Sequence, residues 1–251
     1  QLDGPGLDFG NLLVDGQITA RRAYISHTSR AEHVAVLGRT GTGKSSLLKK
    51  LAAQDIAEGR GFVFFDLHGD ATYELLQIIA AEERKRGVDL SDRLIVIEPA
   101  DPEYSVGLNV LERRSSDYVA ISEFAAILKK RWGLEHLGAR TEELLRNALL
   151  VLAGNGLTLV ELSRLLSNSD FRAACLLQAT NEEVRSYFVD RYDTLSDAQQ
   201  AVYRDAILNK VSEFTSDPKF RHLIGQQSST FSFSEAIDSG YWVIIRLDKG
   251  R

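Results

Sequence analysis

The segment Gly38-Arg39-Thr40-Gly41-Thr42-Gly43-Lys44-Ser45 decides how the rest of this sequence is interpreted. It fits the pattern Gly-x-x-x-x-Gly-Lys-[Ser/Thr] at every position. The apolar run 33–37 before it predicts a short buried strand. The residues 45–58 after it place their apolar side chains mostly on one stripe and stop before Gly59, which predicts a helix. A glycine-rich loop between a strand and a helix N-terminus directs backbone N–H groups and the helix dipole at a phosphate. The sequence therefore predicts a phosphate-binding loop.

The roles of the loop residues follow from this geometry. We expect the Lys44 ammonium to bridge the β- and γ-phosphates of a nucleotide and the Ser45 hydroxyl to ligate Mg²⁺, so ATP and Mg²⁺ are the expected cofactors. The alternative is a glycine-rich turn that happens to contain Lys and Ser. Every contact in the loop addresses phosphate, so the loop does not identify the base. The expected nucleotide-binding residues are Gly38, Thr40, Gly41, Thr42, Gly43, Lys44, Ser45 and Ser46.

Catalysis would need a carboxylate that orders Mg²⁺ and the attacking water. Asp66 is the leading candidate, beside Lys44, because it ends the apolar run 61–66 and open α/β sheets bind ligands at the carboxyl ends of their strands. Its alternative role is to cap its own turn. Asp70 and Asp248 are weaker candidates, and His68 is expected to be a turn histidine because no His or Cys accompanies it at metal-ligand spacing.

Short apolar strands alternate with helices along the chain, and this order predicts an α/β fold with a three-layer parallel sheet. Asp15-Gly16 between two apolar runs predicts a small N-terminal β-hairpin. About a hundred residues of helical pattern then pass before strand character returns at 242–245, which predicts an all-helical insertion. The expected division is an N-terminal β segment at 1–30, a nucleotide-binding domain at 31–115 and 225–251, and the insertion at 116–224.

Composition excludes several other classes of protein. The 30 Lys and Arg against 35 Asp and Glu give a net charge of −5, so any DNA contact must be local. Cys175 is the only cysteine, which excludes a disulfide framework and fits a reducing cytoplasm. No apolar run reaches the roughly 18 residues of a membrane helix, and the N-terminus lacks signal-peptide character. The chain contains no Met, so we expect further sequence upstream of Gln1. Whether that sequence includes a membrane anchor stays open.

The chain resembles the HerA/FtsK superfamily of P-loop motors with a RecA-like core, and within it the ATPases of conjugation and type IV secretion. The likeness covers roughly Arg30 to Arg251 and rests on an ordered set of pieces, which is more specific than the loop alone. The pieces are 33–45, Asp66-Leu67-His68-Gly69-Asp70, Val106-Gly107-Leu108-Asn109, Leu145-Arg146-Asn147-Ala148-Leu149-Leu150, Leu208-Asn209-Lys210-Val211, Ser216-Asp217-Pro218, Ile224-Gly225-Gln226 and Lys249-Gly250-Arg251.

This resemblance implies a helical insertion and a homohexameric ring that pulls DNA through its pore with ATP. Leu67 stands where the family usually has Pro. The family's Walker B strand with its paired Asp-Glu, its arginine finger and its glutamine sensor would lie beyond Arg251, so we expect an amino-terminal portion that binds nucleotide but hydrolyses it slowly.

Three alternatives to a DNA motor stay open: an ATPase that powers protein secretion, a small-molecule kinase, and a scaffold that only binds nucleotide. The kinase ranks last because no acceptor pocket or Arg-bearing lid is evident between Leu90 and Asp117. For DNA, the most suggestive cluster is Lys129-Lys130-Arg131-Trp132, where cations adjoin an aromatic side chain. A solvated helix end is the other interpretation of this cluster and of Glu82-Glu83-Arg84-Lys85-Arg86.

Overall fold

The computed structural model describes residues 6–30, 32–99, 101, 103–104, 106–112, 117–133 and 138–247. Contacts group the chain into two compact units. The first unit combines Gln1–Glu98 with Phe233–Arg251, and the second is Pro99–Ser232. The predicted domain limits at 115/116 and 224/225 stay a prediction.

The first unit begins with the predicted antiparallel hairpin. Strands β1 (Gly6–Val14) and β2 (Gln17–Ser26) pair in a register that includes Leu13 with Ile18. The turn residues Asp15 and Gly16 have φ of 50° and 77°. Positive φ at both central residues gives the tight hairpin turn whose twist matches that of the flanking strands.

A three-stranded parallel sheet forms the centre of the first unit. The strands are β3 (Phe62–Asp66), β4 (Leu94–Ile97) and β5 (Trp242–Arg246), in the order β3-β5-β4. The central strand β5 is buried through Ile245, as its unbroken apolar sequence predicts. The parallel α/β prediction is therefore confirmed.

The first unit also contains helices. They are α1 (His27–Arg30), α2 (Lys44–Glu58), α3 (Asp70–Arg86) and α11 (Phe233–Asp238), with a 3₁₀ turn at Ser91–Arg93. Helix α2 ends at Gly59 (φ 70°), whose N–H bonds the carbonyl of Ile56, as predicted for a C-terminal glycine. The hydrophobic core joins α2, α3 and β5 through Ala52, Ile56, Leu75, Ile79, Leu90, Trp242 and Ile244.

One predicted strand is wrong. Residues 33–37 have no regular secondary structure, and Val34 and Leu37 are exposed. An apolar run becomes a strand only when a neighbour supplies ladder hydrogen bonds, and the three-stranded sheet of the described residues does not include this segment. The apolar composition of 33–37 therefore predicted neither the exposure of this segment nor its lack of a paired neighbour.

The second unit is helical in the residues that the structure describes. Its helices are α4 (Asp117–Trp132), α5 (Ala139–Gly154), α6 (Leu162–Ser167), α7 (Ser169–Leu177), α8 (Glu182–Ser186), α9 (Asp197–Thr215) and α10 (Pro218–Ile224), with a 3₁₀ turn at Leu159–Glu161 and a π-helical turn at Tyr187–Tyr192. Capping boxes are present at Thr158 with Glu161 and at Ser196 with Gln199. Cys175 is a buried free thiol whose pKa is raised by burial.

None of the helices in the described ranges combines the length and the apolar character needed to cross a bilayer.

Candidate functional site

The glycine-rich loop bends through backbone conformations that favour glycine. Gly41 and Gly43 have φ of 82° and 89°, in the left-handed region. Gly43 is the N-cap of α2 and has no side-chain cap. The first N–H groups of a helix have no partner within the helix, so a cap without a side chain leaves them available to an anion.

Lys44 folds over this loop. Its Nζ donates to the carbonyl oxygen of Gly38 at 2.8 Å and to that of Arg39 at 2.7 Å. The ammonium is thus held against the backbone whose N–H groups would contact a phosphate. Ser45 and Ser46, the next residues of the first helical turn, are exposed.

Close packing at the start of the loop explains its first glycine. The Thr42 hydroxyl donates to the Arg39 carbonyl at 2.8 Å. A Cβ on Gly38 would lie 2.6 Å from that hydroxyl oxygen, closer than atoms can approach without a shift. Any side chain at position 38 would therefore displace Thr42.

These residues fit a polyphosphate with Mg²⁺. The loop offers a helix N-terminus without a side-chain cap, an ammonium beside it, and an exposed hydroxyl at Ser45 for the metal. The roles of 38 and 40–46 in binding a nucleotide stay predictions.

Asp66 is buried, at 4% exposure, and its carboxylate is fully engaged. Oδ1 accepts the N–H groups of His68 at 3.3 Å and Gly69 at 2.9 Å, and Oδ2 accepts the N–H and the hydroxyl of Thr72, each at 2.7 Å. Burial raises its pKa, but these hydrogen bonds outweigh burial and hold the pKa below its usual value. A carboxylate has about four acceptor positions, so the geometry favours the turn-capping role.

The other residues that the sequence suggested for metal binding do not form a cluster of ligands in the described part of the chain. Asp70 and His68 are both exposed, and Asp248 lies outside the described residues. Within the described ranges no group of three or more His, Cys, Asp or Glu side chains is placed to hold a metal ion.

The sequence did not reveal a second charged group at the carboxyl ends of the strands, beside Asp66. Arg246 pairs in register with Asp66 and donates to Glu98 Oε1 at 2.7 Å and to the Tyr73 hydroxyl at 3.0 Å. Its guanidinium also lies 4.9 Å from the centre of the Tyr73 ring. Residues so far apart in sequence carry no local signal of this contact.

The two basic clusters are partly neutralised. Glu82 accepts hydrogen bonds from Arg86 at 2.7 Å and from Lys85 at 3.2 Å, both along α3. Lys129 pairs with Glu142 at 2.5 Å. The Glu82–Arg86 cluster therefore fits the interpretation as a solvated helix end rather than a DNA-binding cluster.

One of the pieces that carry the family resemblance, 106–109, is hydrogen-bonded to residues 227–230 in the second unit. Gly107 and Thr230 exchange hydrogen bonds, both at 2.9 Å. Asn109 donates two hydrogen bonds. Its backbone N–H donates to the Ser229 hydroxyl at 3.0 Å, and its Nδ2 donates to the Gln227 carbonyl at 2.8 Å. These bonds tie 106–109 to the segment directly after 224–226.

An apolar cavity of about 240 Å³ lies beside β3 in the first unit. Val34 and Val36 line it from the segment before the loop, and Phe62, Val63 and Phe64 line it from β3. The Arg30–Asp55 ion pair borders it.

Comparison with known proteins identifies a family and a similar solved structure. The family described as "Helicase HerA, central domain" matches residues 8–249. A solved structure described as "Bacterial conjugative coupling protein TrwBdeltaN70", in an unbound monoclinic form, is similar with a TM-score of 0.47 and 18% sequence identity. The alignment covers 83% of this chain and 44% of that one, so this chain spans less than half the length of that chain. No curated protein matches the chain.

Proposed function

Because the chain belongs to the family of the HerA central domain, P-loop ATPases of the HerA/FtsK type, we propose that it binds Mg²⁺-ATP through residues 38–46. In the complete protein, we propose, ATP hydrolysis moves DNA. The observation that supports nucleotide binding best is the position of Lys44, whose ammonium lies against the carbonyls of Gly38 and Arg39 in a glycine-rich loop that leads into a helix N-terminus.

Each loop residue then has a defined task. A bound nucleotide supplies a γ-phosphoryl group for transfer to water. Lys44 would exchange its bonds to the loop carbonyls for bonds to phosphate oxygens, the backbone N–H groups of 41–46 would hold the β-phosphate, and the Ser45 hydroxyl would ligate Mg²⁺. Asp66 holds the turn that starts α3, and a direct role on Mg²⁺ stays a prediction.

Calorimetric titration with Mg²⁺-ATP tests the proposal. We expect Lys44→Ala to weaken binding at least tenfold, because a charge-assisted contact to phosphate is lost. Lys50→Ala is the matched control: it removes a half-exposed lysine of the same helix, 3.7 Å from Asp8, and should change affinity less than twofold. Equal affinity of wild type and Lys44→Ala would contradict the proposal.

Hydrolysis is tested beside binding. Slow turnover by this chain stays a prediction, and brisk hydrolysis that depends on Lys44 would contradict it. That outcome would assign the water-ordering carboxylate to Asp66 or Asp248.

The substrate of the motor is tested in the complete protein. We assign it to DNA because of the family to which the chain belongs, and we expect a homohexameric ring in which each nucleotide lies at a subunit boundary. DNA should then stimulate ATP turnover several-fold. Turnover that DNA leaves unchanged and that a secreted protein stimulates would favour the secretion ATPase instead. Assembly with conjugation or secretion machinery is part of the same proposal.

A further inference from the structure

A second cavity lies within the helical unit, outside the glycine-rich loop. It has a volume of about 300 Å³. Its walls come from the start of α5, from the π-helical turn 187–192 with the residues that follow it, and from α9. This volume is near the lower limit for small-ligand sites, so it suits one nucleotide unit or a similar molecule rather than a folded element.

The π-helical turn supplies much of this wall. Tyr187, Asp190, Arg191 and Tyr192 all line the cavity, so four of the six residues in the turn contribute. π-Helical turns are rare and occur often at functional sites, because the wider turn redirects side chains that an α-helix would spread around its axis.

The charges around the cavity are unequally engaged. Both oxygens of Glu143 accept hydrogen bonds from Arg191, at 2.6 and 2.8 Å, and Asp190 accepts one from Ser186 at 2.5 Å. Arg140, which is exposed at the start of α5, donates instead to the neutral hydroxyl of Tyr203 at 3.1 Å. That bond occupies one of the five guanidinium donors. Arg140 is therefore the cation at this cavity whose described bond goes to an uncharged group.

Aromatic side chains form the rest of the wall. Tyr187 and Tyr203 are half-buried, and the Arg191 guanidinium lies 5.0 Å from the centre of the Tyr187 ring. Burial raises the pKa of Tyr187, so its hydroxyl keeps its proton and remains a hydrogen-bond donor at neutral pH. Tyr203 accepts from Arg140 and so has its own proton available to a ligand.

We infer that this cavity binds a nucleoside phosphate, with the phosphate on Arg140 and Tyr203 and the base against the tyrosine rings. Guanidinium groups match phosphate oxygens in geometry, and tyrosine rings stack on bases of any sequence. A purely acidic ligand would use the Arg140 guanidinium but not the rings, and an apolar ligand would use the rings but not the guanidinium. The ligand could come as a free nucleotide or as one unit of single-stranded DNA.

Fluorescence anisotropy with a labelled ten-nucleotide thymidine strand tests this inference. We expect Arg140→Gln to weaken binding about tenfold and Tyr203→Phe, which keeps the ring, to weaken it two- to fourfold. Arg221→Gln is the charge-matched control: this exposed arginine of α10 does not line the cavity, and its loss should change affinity less than twofold. Thermal unfolding of each variant checks that the fold is intact.

A competition experiment distinguishes a free nucleotide from a unit of single-stranded DNA. Thymidine monophosphate lacks the β-phosphate that the glycine-rich loop requires, so it reports on this cavity. If it displaces the strand from wild type, a free nucleotide suffices. If it does not, while binding of the strand still depends on Arg140, the site takes a unit within a strand. Absence of binding by both probes, or equal losses in Arg140→Gln and Arg221→Gln, would overturn the inference.

Discussion

Thr72 gives both its backbone N–H and its side-chain hydroxyl to the same carboxylate oxygen of Asp66, each at 2.7 Å. The carboxylate ends β3 and the threonine lies in the first turn of α3, so one buried anion fixes the angle between strand and helix. An anion at a helix N-terminus also interacts favourably with the helix dipole.

Removal of the Thr72 hydroxyl should destabilise the protein without touching the loop. We expect Thr72→Val, which keeps the shape of the side chain, to lower the free energy of unfolding by about 1–2 kcal/mol because Asp66 loses a buried partner. Urea unfolding measures this loss. Nucleotide affinity of the folded variant should change less than twofold, and a larger loss that requires Mg²⁺ would indicate that Asp66 acts on the metal.

The low pKa of Asp66 predicts a dependence of stability on pH. A carboxylate whose pKa is lower in the folded state stabilises the protein above its unfolded pKa, about 3.9, and this stabilisation disappears as pH falls through the folded pKa. Wild type should therefore exceed Asp66→Asn in stability by a nearly constant amount above about pH 5, and the difference should shrink below about pH 4. Urea unfolding between pH 3 and 7 compares the two proteins. A difference that grows toward acid would contradict the assignment.

Gly43 should resist substitution for a conformational reason. A Cβ at this position meets nothing within 4 Å, but φ of 89° is costly for any other residue, so Gly43→Ala should cost about 1–2 kcal/mol and weaken Mg²⁺-ATP binding. Gly154→Ala is the control, since this glycine ends α5 without a positive φ and also has open space around it. Thermal unfolding of the pair should show a loss only for Gly43→Ala.

Trp242 anchors the central strand by packing and by a hydrogen bond. It is fully buried, its Nε1 donates to the Arg60 carbonyl at 2.8 Å, and the Arg93 guanidinium lies 4.9 Å from the ring centre. We expect Trp242→Phe to lower the free energy of unfolding by about 2–4 kcal/mol, since it leaves a cavity and an unpaired carbonyl. Tyr104→Phe, at an exposed ring, should change it by less than about 0.5 kcal/mol. Similar losses in both variants would contradict this role.

The parts of the fold that could be predicted from sequence are those that depend on residues close together in the chain. Asp15-Gly16 determines the hairpin turn, Gly59 ends α2, and Thr158 and Ser196 cap their helices, because each of these features depends on residues within four positions. The glycine-rich loop belongs to the same class, since its pattern, its glycines and the start of its helix are contiguous.

Contacts between distant segments were not predictable in this way. Residues 33–37 have the composition of a buried strand, yet pairing depends on a neighbour that the segment itself does not specify. Arg246 lies in β5, Tyr73 lies in α3 and Glu98 directly follows β4, so these residues meet only after the sheet has formed. Asp66 was identified, but its partner Thr72 was not, although a threonine early in a helix after an Asp-x-x-Gly turn could have suggested it.

The outer edge of β3 has a consequence for handling the protein. In the part of the chain that the structure describes, β3 pairs with β5 on one side only, and Phe65 is 60% exposed. Such an edge displays backbone donors and acceptors that another molecule can complete. Light scattering should therefore report growing particles as the solution is concentrated, and Phe65→Lys should delay that growth by placing like charges along the contact.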